Sequence, residues 1–185
     1  MALILASASP RRRELLSLIT KDFTVETSRV DEAAITAPTP AKLARALADA
    51  KCRAVAARHP EDIVIGCDTV VDYAGRVFGK PKDHEDALRM LRALSGAQHH
   101  VHTGVCIAFP GGEERFTVTT KVKFYPIEEA QLEAYAATGE PYDKAGAYAI
   151  QGIGGKYVSH VNGHMDTVIG LPCELLEELL SRLVF

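Results

Sequence analysis

The chain has 185 residues with 21 Lys and Arg against 24 Asp and Glu, a net charge of −3, and is 47% hydrophobic and 24% charged. At about 100–200 residues per domain this predicts one domain or two small lobes, able to bury about 70% of the surface of the unfolded chain without disulfides or a structural metal. The mild acidity excludes a general nucleic-acid binder, which gains affinity by setting many Lys and Arg on phosphates. An anion site must then be local, and residues 1–51, with eight basic against six acidic side chains, are where one is expected.

In chain order, Ala2–Ala6 reads as a short buried strand. Ser9 then caps a helix with Pro10 at its first position and Leu15, Leu16 and Ile19 turned inward. Thr39-Pro40 repeats that start signal for a helix reaching about His59, before Pro60. Ile63–Val71 is a nearly continuous apolar, β-branched run, expected of a strand buried on both faces, with Asp68 as its one ionisable residue. Asp72-Tyr73-Ala74-Gly75 turns into Arg76–Phe78, and Asp83 caps a helix ending at Ser95-Gly96. Alternation from Val101 to Phe109 and from Phe116 to Phe124, about a turn at Gly111-Gly112, predicts a long antiparallel hairpin.

A helix over Glu128–Thr138 precedes a segment holding Gly139, Gly146, Gly152, Gly154 and Gly155, a density that predicts backbone approaching something closely. Asn162-Gly163 reads as a hairpin turn between Tyr157–Val161 and a further strand, and Leu171–Val184 as a closing amphipathic helix. The order implies a mixed-sheet α/β or α+β fold. Cys52, Cys67, Cys106 and Cys173 show no metal or redox spacing and read as reduced thiols of a cytoplasmic protein. The apolar run Met1–Ala6 is too short for a signal sequence, and no stretch approaches the roughly 20 apolar residues of a membrane span.

Ser7-Ala8-Ser9-Pro10-Arg11-Arg12-Arg13 sets hydroxyls and guanidiniums at the start of a helix, where backbone N–H groups and the helix dipole favour an anion. Its alternative is a capped surface helix with solvated arginines. Asp68 in a buried strand needs a partner, a metal or a catalytic role, or else backbone amides at a strand end; an aspartyl phosphatase would need a second Asp at position 70, which is Val. Lys80, between Gly79 and Pro81, faces the same anion or is a solvated turn residue. Lys51 is either an inward phosphate ligand or a snorkelling surface residue. The glycine-rich segment fails both the P-loop and the dinucleotide pattern, since Ile150 and Tyr157 stand at required positions. His99, His100 and His102 cluster with no third ligand spacing beside them for a metal.

Taken together, Leu5 to Leu16, Gly66-Cys67-Asp68-Thr69-Val70-Val71, Gly79-Lys80-Pro81 and Asp143 to Gly152 resemble the Maf family of nucleoside triphosphate pyrophosphatases. The resemblance extends to Val30-Asp31-Glu32, Ala50-Lys51, Met90 to Gly96, Thr103-Gly104-Val105 and Gly170-Leu171-Pro172, nearly the whole chain. It implies one domain over residues 1–185 with an elongated, two-lobed, mixed-sheet α/β fold similar to the inosine-triphosphate pyrophosphatases. A cleft lies between the lobes, and a divalent metal cation, Mg²⁺ or Mn²⁺, and a homodimer go with it; no nucleic acid or membrane partner is implied. The implied reaction splits a nucleoside triphosphate between its α and β phosphates, giving the monophosphate and pyrophosphate.

Arg11, Thr69 and Gln151 match the specificity positions of the branch acting on dTTP and UTP, and the Gln151 amide can both donate to and accept from a uracil or thymine edge. A departure stands beside them: where that branch has a Tyr-rich strand before Gly-Leu-Pro, this chain reads Asn162 to Ile169. On this reading Asp68 is the general base, Arg12, Arg13, Lys51 and the catalytic Lys80 stabilise phosphate charge, Ser7 and the helix amides hold phosphate oxygens, and Glu32 joins Asp68 at the metal. The alternatives are 7-methyl-GTP or broad triphosphate hydrolysis, or a non-catalytic nucleotide sensor regulating cell division.

Overall fold

The computed structural model describes residues 1–183; Val184, the last residue of the expected closing helix, lies outside them. Leu3–Leu5 forms β1, and the chain enters α1 (Pro10–Ile19) through Ser9, whose hydroxyl accepts from the Arg12 N–H at 3.4 Å. Thr24–Val25 (β2) lies parallel to β1, a strand the sequence analysis did not anticipate. A single 3₁₀ turn over Glu32–Ala34 leads to α2 (Pro40–Ala56), capped by Thr39 and shorter than the expected run to His59.

The next strand, β3 (Ile63–Tyr73), is parallel to β1 and pairs antiparallel with β4 (Arg76–Phe78). Then come α3 (His84–Leu94), β5 (Gln98–Phe109) and β6 (Gly112–Phe124), the long hairpin turning on Pro110-Gly111 with Gly111 at φ 91°. After α4 (Glu129–Ala136) the glycine-rich stretch forms three short 3₁₀ turns, and β7 (Val158–Asn162) adds an edge to β6. Past Gly163 the chain forms not the expected strand but α5 (Met165–Ile169), followed by α6 (Cys173–Leu183). Gly163 sits at φ 128°, and Thr120 Oγ1 donates to the His164 carbonyl at 2.9 Å. Asp166 then caps the next helix by accepting from the Cys173 N–H at 2.7 Å, an arrangement with no continuing ladder.

The sheet runs β2-β1-β3-β5-β6-β7, with β4 beside the far half of β3. One face carries two helix groups. Leu5, Ile65, Cys67 and Ile107 pack with Leu16, Leu171 and Leu176 of the α1/α6 side, while Val71, Val101, Val122 and Phe124 pack with Leu88, Leu91, Leu132 and Tyr135 of the α3/α4 side. These are the two lobes. The other face takes α2, which lies close to the strands because Gly66 and Gly104 leave room: a Cβ at Gly66 would fall 2.5 Å from the Ala48 carbonyl, and one at Gly104 2.4 Å from that of Ala44. Asp68 pairs with Gly104 across β3 and β5, so this close approach brings α2 directly onto the acidic strand.

Candidate active site

Strand β1 ends opposite Ile65, and β4, running the other way, ends with Phe78 opposite Val71. Between them the edge of β3 has no strand beside it, and consecutive side chains pointing to opposite faces of the sheet reach the same opening. Both Asp68 and Thr69 line a cleft of about 810 Å³ there. It lies beyond the carboxyl ends of β1 and β2, beside the middle of β3, on the side of the sheet where ligands of open α/β folds bind.

On the α2 side, Lys51 turns inward. Its Nζ donates to Asp68 Oδ1 at 2.6 Å and stands 3.0 Å from Glu32 Oε1, with Lys51 and Asp68 side chains both 12% exposed and Glu32 56%. Lys51 thus does not snorkel to the surface; its ammonium points inward, onto two carboxylates. Burial pushes the Asp68 carboxyl above its ordinary range; the nearby Lys51 and Arg12 charges act in the opposite direction without cancelling it. The result is a carboxylate held by one ammonium and able to take a proton.

On the opposite side Arg12 is fixed by three acceptors: Nε donates to the Gly170 carbonyl at 2.8 Å, Nη1 to Ser7 Oγ at 3.3 Å and Nη2 to Thr69 Oγ1 at 3.0 Å. Thr103 spends its only hydroxyl proton on the Thr167 carbonyl at 2.7 Å, so in its 2.9 Å contact with Thr103 it is Thr69 that donates. A chain from Arg12 through Thr69 and Thr103 to the α5 backbone therefore orients the guanidinium. Thr103 stands in a stretch that resembles the family, but the sequence gives it no role, because it carries no signal for a cross-strand hydroxyl pair.

Ser7, Arg11, Lys80 and Gln151 also line the cleft. Lys80 is exposed and is carried by the segment that the Gly146 N–H clamps through the Gly79 carbonyl at 3.1 Å. Gly146 itself sits at φ 73°, with Val71 2.9 Å from where its Cβ would be. Lys144, to which the sequence analysis gave no role, lines the cleft beside its ion-pair partner Asp143. Arg13 does not join them. It is exposed and outside the lining, because one step along a helix turns a side chain by about 100° from its neighbour.

The glycines at 152, 154 and 155 approach their own chain. A Cβ at Gly152 would lie 1.9 Å from Glu140 Oε1, at Gly154 2.6 Å from the Tyr135 hydroxyl, and at Gly155 2.3 Å from the Ile150 carbonyl. Of the histidines, His102 is held by Asp72 at 3.1 Å and Thr119 at 2.7 Å, with His100 stacked on it, and His99 is buried against Tyr148. All four cysteines are free. Among the described residues no three His, Cys, Asp or Glu side chains gather as a metal cage.

Comparison with known proteins decides the family. A model described as Maf-like protein matches residues 2–183. The chain belongs to the Maf-like protein family. Among relatives of this Maf-like protein, a dTTP/UTP pyrophosphatase of Moorella thermoacetica (strain ATCC 39073 / JCM 9320) is 50% identical over 97% of the chain and 93% of that protein. One of Thermococcus gammatolerans (strain DSM 15229 / JCM 11827 / EJ3) is 48% identical over 96% and 94%, and one of Geobacillus sp. (strain WCH70) is 45% identical over 98% and 97%. The fold is shared with the Ham1 protein of Staphylococcus aureus at TM-score 0.55 and 16% identity, covering 97% of this chain and 98% of that one. A Ham1 protein from Coxiella burnetii shares it at TM-score 0.52 and 13% identity, with the same coverage.

Proposed function

We propose that this Maf-like protein hydrolyses dTTP and UTP to the nucleoside monophosphate and pyrophosphate. The observation that carries the reading is the cleft itself: a buried carboxylate, Asp68, stands between an inward Lys51 and a fully oriented Arg12, at the head of a helix whose first turn carries no acidic residue. The names of relatives 45–50% identical over nearly their full length support the same reaction and the same two substrates.

Asp68 takes a proton from the water whose oxygen attacks phosphorus, while the bond between the α and β phosphates breaks and the bridging oxygen leaves with its electron pair on one phosphate. Arg12, Lys51, Lys80 and the Ser7 hydroxyl hold the phosphate oxygens as that charge develops. Gln151, exposed on the rim, takes the uracil or thymine edge, and Arg11 and Thr69 shape the same specificity, Thr69 through its bond to Arg12.

A divalent cation fits the donor set. Glu32 and Asp68 converge on one point, the Lys51 ammonium, and two carboxylates completed by substrate phosphates are what Mg²⁺ ordinarily takes. Held by the Glu32 and Asp68 carboxylates, Mg²⁺ or Mn²⁺ would neutralise phosphate charge. Among the described residues no helix is long and apolar enough to cross a membrane. A cytoplasmic setting and a homodimer complete the proposal.

The test is pyrophosphate release from UTP, dTTP, CTP, GTP and 7-methyl-GTP with Mg²⁺ and with Mn²⁺. Turnover concentrated on dTTP and UTP is expected; turnover of 7-methyl-GTP alone, or nucleotide binding with no pyrophosphate released, overturns the reading.

A further inference from the structure

The tip of the glycine-rich loop brings Ile150 and Gln151 to the cleft on a turn closed by one hydrogen bond of its own, from the Gly152 N–H to the Ala149 carbonyl at 3.1 Å. Both of its stems end on one carboxylate. On the C-terminal stem the N–H groups of Ile153 and Gly154 donate to Glu140 Oε1 and Oε2, each at 3.0 Å. On the N-terminal stem the Ala149 N–H donates to the Tyr135 hydroxyl at 3.2 Å, and that hydroxyl donates to Glu140 Oε2 at 2.6 Å.

Glycine at 152 and 154 is the condition for this closeness, since any Cβ there would strike Glu140 or Tyr135. Burial disfavours the Glu140 charge, but the bonds from Tyr135 and the two amides outweigh it and hold the carboxyl below its ordinary range. Tyr135 is itself anchored in the core of the α3/α4 side. Neither Tyr135 nor Glu140 itself lines the cleft.

We infer that Glu140, with Tyr135 as its link, is the positioning residue for base recognition: it clamps both stems of the loop and so fixes Gln151 against the pyrimidine edge. The inference rests on the reading of Gln151 as the base contact. A carboxylate accepting three donors pins backbone that would otherwise sample many conformations, and a polar side chain discriminates only where its direction is fixed. Glu140→Gln keeps the shape but replaces one acceptor oxygen by a donor, so that it opposes the N–H groups it faces.

The experiment is calorimetric binding of two probes, a non-hydrolysable UTP analogue with a methylene bridge between the α and β phosphates and inorganic pyrophosphate, which has no base. The proteins are the full chain and its Glu140→Gln, Tyr135→Phe and Gln151→Ala variants. Glu140→Gln is expected to weaken the UTP analogue about tenfold and to leave pyrophosphate binding unchanged, with Tyr135→Phe moving the same way. Because the clamp acts through Gln151, adding Glu140→Gln to Gln151→Ala should weaken the analogue no further.

Equal weakening of both probes assigns Glu140 a general structural role and overturns the inference, as does unchanged analogue binding in Glu140→Gln and Tyr135→Phe while Gln151→Ala weakens it. If Gln151→Ala leaves analogue binding unchanged, the base-contact reading fails and the inference falls with it. These are binding readouts, so loss of the proposed hydrolysis would be seen separately, as binding without turnover.

Discussion

Thr69 and His99 show how single buried hydroxyls and rings are committed. Thr69 accepts from Arg12 and donates to Thr103, so Thr69→Val leaves the guanidinium with two of its three acceptors, Gly170 and Ser7, and loosens its orientation. The expected result is a loss of about 1 kcal/mol in urea unfolding, with weaker binding of pyrophosphate as well as of nucleotide; unchanged pyrophosphate affinity would remove Arg12 orientation from the account. His99 is fully buried, and desolvation, with the His100 charge adding to it, lowers its pKa from 6.5 to about 4. As pH falls through 6.5 the unfolded chain binds a proton that the folded chain refuses until about pH 4. Stability is therefore lost between those values and the loss levels off below, by about 3 kcal/mol in all. Unfolding curves of the native chain and His99→Gln, compared from pH 7 to 4, should diverge across that window, and parallel curves would contradict the burial effect.

At the scale of elements, the approach of α2 to β3 and β5 makes the site, because it delivers Lys51 to Asp68. Gly104→Ala puts a Cβ against the Ala44 carbonyl, where backbone has no slack. It should cost about 2–3 kcal/mol and also lower turnover by displacing Lys51; full activity in a folded Gly104→Ala protein would show that the Lys51–Asp68 contact is not required. The strand and helix starts of this half were legible: Ser9-Pro10 and Thr39-Pro40 are local cap signals, and the apolar run through Asp68 is a local pattern. What was not legible depends on partners distant in sequence. The two-residue β2 is exposed and exists because β1 offers an edge. Gly163 suggested a turn between strands, but Thr120 and Asp166 hold the chain into α5 instead. The contact of Lys51 with Asp68 spans 17 residues and could be read from neither segment alone, and the glycine cluster gave its closeness but not its several objects, Val71, Glu140, Tyr135 and the Ile150 carbonyl.

Over the whole molecule, the two helix groups share one sheet face and leave the cleft where the strand beside β3 changes from β1 to β4. Ser7, Arg12, Lys51, Asp68, Lys80 and Gln151, from separate stretches of the chain that resemble the Maf family, meet at that opening, while Arg13 stays outside it. Motif order carried the family, and helix phase, which a run of three arginines hides, decided which of them faces the site. If Asp68 is the base of a pyrophosphate-releasing reaction, the rate of pyrophosphate formation from UTP and dTTP by the native chain and by Asp68→Asn must show it. The expected result is a fall of at least about a hundredfold in the variant, with native-like unfolding and retained nucleotide binding. A folded Asp68→Asn protein that releases pyrophosphate at close to the native rate would contradict it.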